Sequence, residues 1–137
     1  TLDIGSLETI HPSNKRDVGE RLARWALAKD YKQNSLAFSG PVCASVKSSG
    51  DNIILEFDIG AESLVAGGSG LKEFELVYAD GSTEEVSASI LRNTIMLEMD
   101  RGNKPTAVRY AWKNGSEASL FNSAELPAST FSMEIEF

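Results

Sequence analysis

Apolar and polar residues alternate with a period of two along most of the chain. Ile53, Leu55, Phe57 and Ile59 interleave with Ile54, Glu56 and Asp58; Phe74, Leu76 and Tyr78 with Glu73, Glu75 and Val77; Phe131, Met133, Ile135 and Phe137 with Ser132, Glu134 and Glu136. Side chains of a strand point alternately to its two faces, so each run predicts a strand with one dry and one wet face. Gly50-Asp51-Asn52, Asp80-Gly81, Arg92-Asn93 and Asn114-Gly115 punctuate the runs. Asp-Gly and Asn-Gly suit tight turns whose central residues need positive φ. Seven or eight short strands at this spacing predict an antiparallel β-sandwich of jelly-roll-like character.

The first third has a different period. Val18, Leu22, Trp25 and Ala26 recur at spacings of three and four and form one apolar stripe, with Lys15, Glu20, Arg21 and Arg24 elsewhere. That pattern predicts an amphipathic helix from about Asn14 to Lys29, with Pro12, Ser13 and Asn14 as entry residues. Beyond Gln33 the period changes, and Ser39-Gly40-Pro41 marks the switch. The chain thus divides into a loop-and-helix segment, 1–33, and a β-sandwich domain, 34–137. Thr1-Leu2-Asp3-Ile4-Gly5 reads as the end of a strand entering a loop, so the expectation is a segment cut from a longer protein, with any targeting signal upstream.

Net charge changes the picture of partners. Thirteen Lys and Arg against 20 Asp and Glu leave −7, and no basic run exists. Nucleic acid and anionic membrane are therefore not expected partners. The acids Glu56, Asp58, Glu73, Glu75, Glu134 and Glu136 fall on wet strand faces and read as solvated surface. The single cysteine, Cys43, lies in an apolar run and reads as a packed thiol. No carboxylates stand at metal-ligand spacing, and no cofactor is implied. The glycines of Leu64-Val65-Ala66-Gly67-Gly68-Ser69-Gly70 lack the Lys-Ser/Thr ending and following helix of a phosphate loop, so a flexible or close-packed loop is expected.

Chemistry has one candidate residue. His11, the only histidine, lies in a loop just before the helix, with Glu8 three residues upstream and Asp3 eight. A carboxylate three residues earlier in a loop can reach an imidazole nitrogen and set its tautomer. No serine of the chain sits in a Gly-x-Ser-x-Gly elbow, so a nucleophile would have to come from elsewhere.

The block Ile10-His11-Pro12-Ser13-Asn14-Lys15-Arg16-Asp17-Val18-Gly19-Glu20-Arg21-Leu22-Ala23 resembles the last catalytic block of bacterial sialate O-acetylesterases, which closes their SGNH hydrolase domain. Val108-Arg109-Tyr110-Ala111-Trp112, Leu120-Phe121-Asn122 and Leu126-Pro127-Ala128-Ser129-Thr130-Phe131 resemble the tail of the same proteins, in the same order. The resemblance implies that residues 1–33 are the terminal loop and helix of an SGNH α/β domain. It implies a serine esterase that removes O-acetyl groups from sialic acid or a related acetylated glycan, with His11 as general base and the serine on an upstream segment absent here. A periplasmic or secreted location follows from the resemblance alone. The family commonly has aspartate where this chain has Thr9, which leaves Glu8 as the stand-in acid or as a bystander. The competing reading is a non-catalytic carbohydrate-binding or interdomain sandwich. Trp25, Tyr110 and Trp112 read as packing residues, the last two on one strand face, and Arg109 as a salt-bridging residue on the opposite face.

Overall fold

The structure, a computed structural model, describes residues 1–11, 13–100 and 102–137. Among the described residues one helix precedes ten strands: α1 (Lys15–Lys29), β1 (Val42–Ser49), β2 (Asn52–Asp58), β3 (Leu64–Ala66), β4 (Phe74–Val77), β5 (Thr83–Glu85), β6 (Ala88–Leu91), β7 (Thr94–Glu98), β8 (Ala107–Tyr110), β9 (Leu120–Asn122) and β10 (Phe131–Glu134). The strands in excess of expectation arise because β3, β5 and β9 have three residues each, too few to show an alternation. Asn14 caps the helix: its side chain accepts from the Asp17 N–H at 3.1 Å and donates to the Asp17 carboxylate at 2.8 Å. Pro12, read as an entry residue, lies outside the described residues. No described helix is long and apolar enough to cross a membrane.

Two four-stranded antiparallel sheets, β1-β2-β7-β6 and β10-β8-β4-β5, face each other, with the β3-β9 pair beside them. Val46, Ile53, Leu55, Ile95 and Leu97 of the first sheet pack with Phe74, Leu76, Val108 and Tyr110 of the second, all buried. The alternation in the sequence thus gave the inward faces of β2 and β4. Each buried Leu, Ile or Phe contributes about 1.5–3 kcal/mol relative to exposure, which is why the two faces must meet. The sheets join at one edge, where Ser48 N–H donates to Glu136 O at 2.8 Å and Glu136 N–H to Val46 O at 2.9 Å. The turn glycines do what their chemistry suggests, Gly50, Gly81 and Gly115 all taking positive φ, and Arg92 takes it too at the turn before Asn93. Gly67 proves close-packed, since a Cβ there would lie 3.3 Å from the Phe121 ring.

Three positions depart from the expected faces. Glu75, read as solvated, is 8% exposed. Trp112 does not continue the face of Tyr110: β8 ends at Tyr110, Ala111 takes φ 49°, and the reversal leaves Trp112 half exposed. The same reversal carries Lys113 back over the sheet to within 3.0 Å of Glu75, which covers that carboxylate. Phe137 is exposed rather than dry, because the pairing of the chain end with β1 stops at Glu136, beyond the buried Ile135.

The connector between helix and sandwich is fastened rather than loose. Buried Asn122 donates to Ser39 O and accepts from Leu126 N–H, both at 2.9 Å. At Gly40 a Cβ would sit 1.9 Å from the carbonyl oxygen of Pro127. The carbonyl oxygen of Leu126 would lie 2.9 Å away, and since both carbonyls are backbone neither can swing away. Gly40→Ala is expected to destabilise the fold by about 3 kcal/mol, the upper end for overpacking. Urea denaturation checks it, and an unchanged midpoint would mean that the two segments separate freely.

Candidate functional site

His11 and Glu8 sit on the exposed loop ahead of α1. Their backbones are shaped by short hydroxyl turns: Glu8 N–H donates to Ser6 Oγ and His11 N–H to Thr9 Oγ1, each at 3.1 Å. Among the described residues the imidazole and the Glu8 carboxylate make no hydrogen bond to each other or to any other group. Both are presented outward. That suits groups completed by a partner surface, and the chain alone does not bring them together.

The base of this loop is closed by a contact that no sequence period announces. Arg21 donates to Asp3 through two bonds, Nη1 to Oδ1 at 2.8 Å and Nη2 to Oδ2 at 2.6 Å, and less than a fifth of either side chain is exposed. Partial burial opposes ionisation of Asp3, but the hydrogen bonds from Arg21 and from backbone, with the guanidinium charge, outweigh it and hold the carboxyl below its ordinary value. The hydrogen bond to Asp3 likewise raises Arg21. A folded pKa below the unfolded one gives stabilisation that is present above about pH 4 and lost as pH falls through the lower folded value. Acidification is therefore expected to free residues 1–11 in that window, read as loss of amide protection there. Loosening of this segment already at neutral pH would contradict the pair's role. The one sequence hint at Arg21 was its place in the Val18-Gly19-Glu20-Arg21-Leu22-Ala23 run.

Farther along the segment, Leu7 lies over Gly115, where a Cβ would come within 2.1 Å of Leu7 Cδ2. A shallow cleft lined by Leu2, Leu7, Glu8, Ser116 and Glu117 separates the loop from that turn. Ser116 Oγ braces the turn by donating to Glu73 at 3.0 Å.

The helix stripe is only partly covered. Trp25 meets Phe38 edge-on at 4.8 Å, Arg24 donates to Ala37 O at 3.1 Å, and Ala28 is buried. Leu22 remains 67% exposed and Trp25 48%. Leu7, Ile10 and Tyr31 are also exposed, so the segment 1–33 carries a concentration of bare apolar side chains. Beside Trp25 lies a groove of about 330 Å³ between the connector and the β2–β3 turn, where Phe38, Lys29, Asp58 and Glu62 converge. Lys29 Nζ stands 4.3 Å from the Phe38 ring centroid.

Other candidates resolve plainly. Burial pushes the Cys43 thiol up to about 11, which leaves almost no thiolate at neutral pH and fits a packed side chain rather than a nucleophile. Tyr110 is fully buried, as a core residue should be. Arg109, expected to form a surface or interdomain salt bridge, makes no ion pair within this chain among the described residues. Its guanidinium lies 5.6 Å from the Trp112 ring centroid and its buried Nε has no hydrogen-bond partner. The described residues contain no group of His, Cys, Asp or Glu able to hold a metal.

Neither a family model nor a curated protein matches the chain. A solved structure does. Over 96% of its length the chain superposes on a carbohydrate acetylesterase from Xanthomonas citri with a TM-score of 0.87 and 36% sequence identity. The chain is related to a carbohydrate esterase. It spans 31% of the length of that protein. The likeness takes in both the loop-and-helix segment and the sandwich, since little of the chain lies outside it.

Proposed function

We propose that the chain is the histidine-bearing part of a carbohydrate O-acetylesterase of the SGNH type. In this reading residues 1–33 complete an upstream α/β domain and residues 34–137 form the sandwich that supports it. His11 takes the proton of an upstream serine as that serine attacks the acetyl carbonyl, then returns a proton to the departing sugar hydroxyl. Glu8 orients the imidazole. The substrate class is an acetylated glycan, with O-acetylated sialic acid as the favoured member, and the setting is periplasmic or secreted.

The observation that carries the reading is the exposed Glu8-x-x-His11 loop beside a half-covered apolar helix, in a chain 36% identical to part of a carbohydrate acetylesterase. A free-standing sugar-binding module needs neither feature. A second reading as a binding module draws support from the groove at Trp25 and Phe38, whose rings and carboxylates have the character of a sugar site. Acetate release from O-acetylated sialic acid separates the two. It is measured for this chain, for the upstream serine-bearing segment, and for the two mixed. Activity only in the mixture supports the esterase role. Full activity of the upstream segment alone overturns it and leaves the binding module.

A further inference from the structure

We infer that Asp3 and Arg21 are positioning residues for the esterase reaction: their ion pair closes the base of the Glu8–His11 loop against α1 and thereby sets where the imidazole sits. The inference rests on the esterase reading and deepens it, because neither residue touches substrate.

The loop has two ends and little between them. Its C-terminal end is fixed where Asn14 and Asp17 cap the helix through reciprocal hydrogen bonds. Its N-terminal end is fixed at Asp3, next to Leu2, which packs against the core. Residues 4–11 hold themselves by local hydroxyl turns, and Leu7 rests on Gly115. Among the described residues no other contact restrains Glu8 or His11. A surface loop becomes compact when its ends are brought together, because end closure removes most of the configurations it would otherwise sample. Here the hydrogen-bonded contact that joins the loop to α1 is the Asp3–Arg21 pair, 18 residues apart in sequence.

The form of that contact matters. Two parallel bonds at 2.8 and 2.6 Å fix the angle between Asp3 and the helix as well as the distance. A lysine at position 21 would keep the charge but lose the planar fork. Arg16 and Glu20, one turn earlier, are the contrast: an i,i+4 pair with side chains 84% and 53% exposed, of the kind that contributes little. The position of a general base must hold to within a fraction of an ångström, and a 1 Å error costs on the order of 100-fold in rate. A loop this exposed cannot supply that from its own packing.

The test has two arms, one independent of catalysis. In the chain as it stands, backbone order parameters of residues 8–11 are measured for wild type, Asp3→Asn, Arg21→Lys, the charge-swapped Asp3→Arg/Arg21→Asp pair, and Glu20→Gln as control. In the uninterrupted parent protein, kcat and KM for acetate release are measured for the same set. The inference expects order parameters to fall from about 0.85 toward 0.6 in both single variants. It expects kcat to fall roughly 10- to 100-fold with KM held, partial recovery in the swap, and no change in Glu20→Gln. Unchanged order parameters in the single variants overturn it whatever the activity. Loosened loops with unchanged kcat overturn the positioning role. A wild-type parent that releases no acetate, with the loop still loosening in the variants, overturns the esterase reading and with it the catalytic half of the inference.

Discussion

His11→Ala is expected to lower acetate release by the parent protein about 10⁴- to 10⁶-fold, with KM little changed. The magnitude follows from the two duties assigned to one imidazole. In the proposed mechanism, without it the upstream serine would attack as a neutral alcohol and the departing sugar oxygen would leave without a proton, so both halves of the reaction would slow together. In the same mechanism, binding and oxyanion stabilisation by the proposed upstream domain would remain and give a residual rate above water. Each factor of ten corresponds to about 1.4 kcal/mol of transition-state stabilisation. The loss therefore amounts to about 5–8 kcal/mol, far beyond any effect of an exposed side chain on folding. Because His11 is exposed and hydrogen-bonded only through its backbone, the variant should unfold at the wild-type midpoint. Retained activity in a folded His11→Ala protein would remove the residue from the mechanism. Glu8→Gln distinguishes an orienting acid from a bystander. A fall of about 10³- to 10⁴-fold marks the acid, whereas a near-wild-type rate leaves a Ser-His dyad.

The largest effect on stability is expected at Tyr110. Its hydroxyl oxygen accepts from the backbone N–H groups of Ser119 and Leu120, both at 2.9 Å, at a site with no solvent exposure. It thereby ties β8 to the start of β9. Its ring lies 4.8 Å from Phe74 and 5.6 Å from Phe131, so Tyr110→Phe keeps the aromatic packing and removes one atom. Two buried donors then lose their acceptor at once. A stranded buried group costs about 1–3 kcal/mol, so the variant should be less stable by about 2–6 kcal/mol. The urea midpoint should fall by about 1–2 M with an unchanged slope. A shift smaller than about 0.5 kcal/mol would show that Ser119 and Leu120 find another acceptor in the folded state. The same variant leaves the Asp3–Arg21 pair untouched, since neither residue contacts Tyr110, which separates it from the variants of the loop.

The two sets of residues fall on different sides of what could be read from sequence. Tyr110 was legible as a packing residue from its run, but its hydroxyl bonds to the segment of Ser119 were not, because Ala111 and the turn after it carry no period that says where the chain returns. The candidate site was legible in part. Glu8 and His11 stand at a spacing with chemical meaning, and the run from Ile10 to Ala23 resembles a known catalytic block. The Asp3–Arg21 pair escaped because a loop carboxylate and a helix guanidinium share no periodicity.

Local pattern alone was enough for the helix with its Asn14 boundary, for the inward faces of β2 and β4, for the turns at Gly50, Gly81, Arg92 and Gly115, and for the change of period at the connector. Those features depend on quantities each residue carries with it, namely desolvation, backbone preference and cap chemistry. Tertiary structure alone decided the sheet orders β1-β2-β7-β6 and β10-β8-β4-β5, the burial of Glu75 under Lys113, the divergence of Trp112 from Tyr110, and the closure of the loop by Arg21. A strand's dry face shows that it must be covered and not by which neighbour. A carboxylate on a wet face stays solvated only until a reversal elsewhere in the chain brings a cation over it. Such choices rest on differences between long-range contacts of similar strength, and no local window of sequence contains both partners.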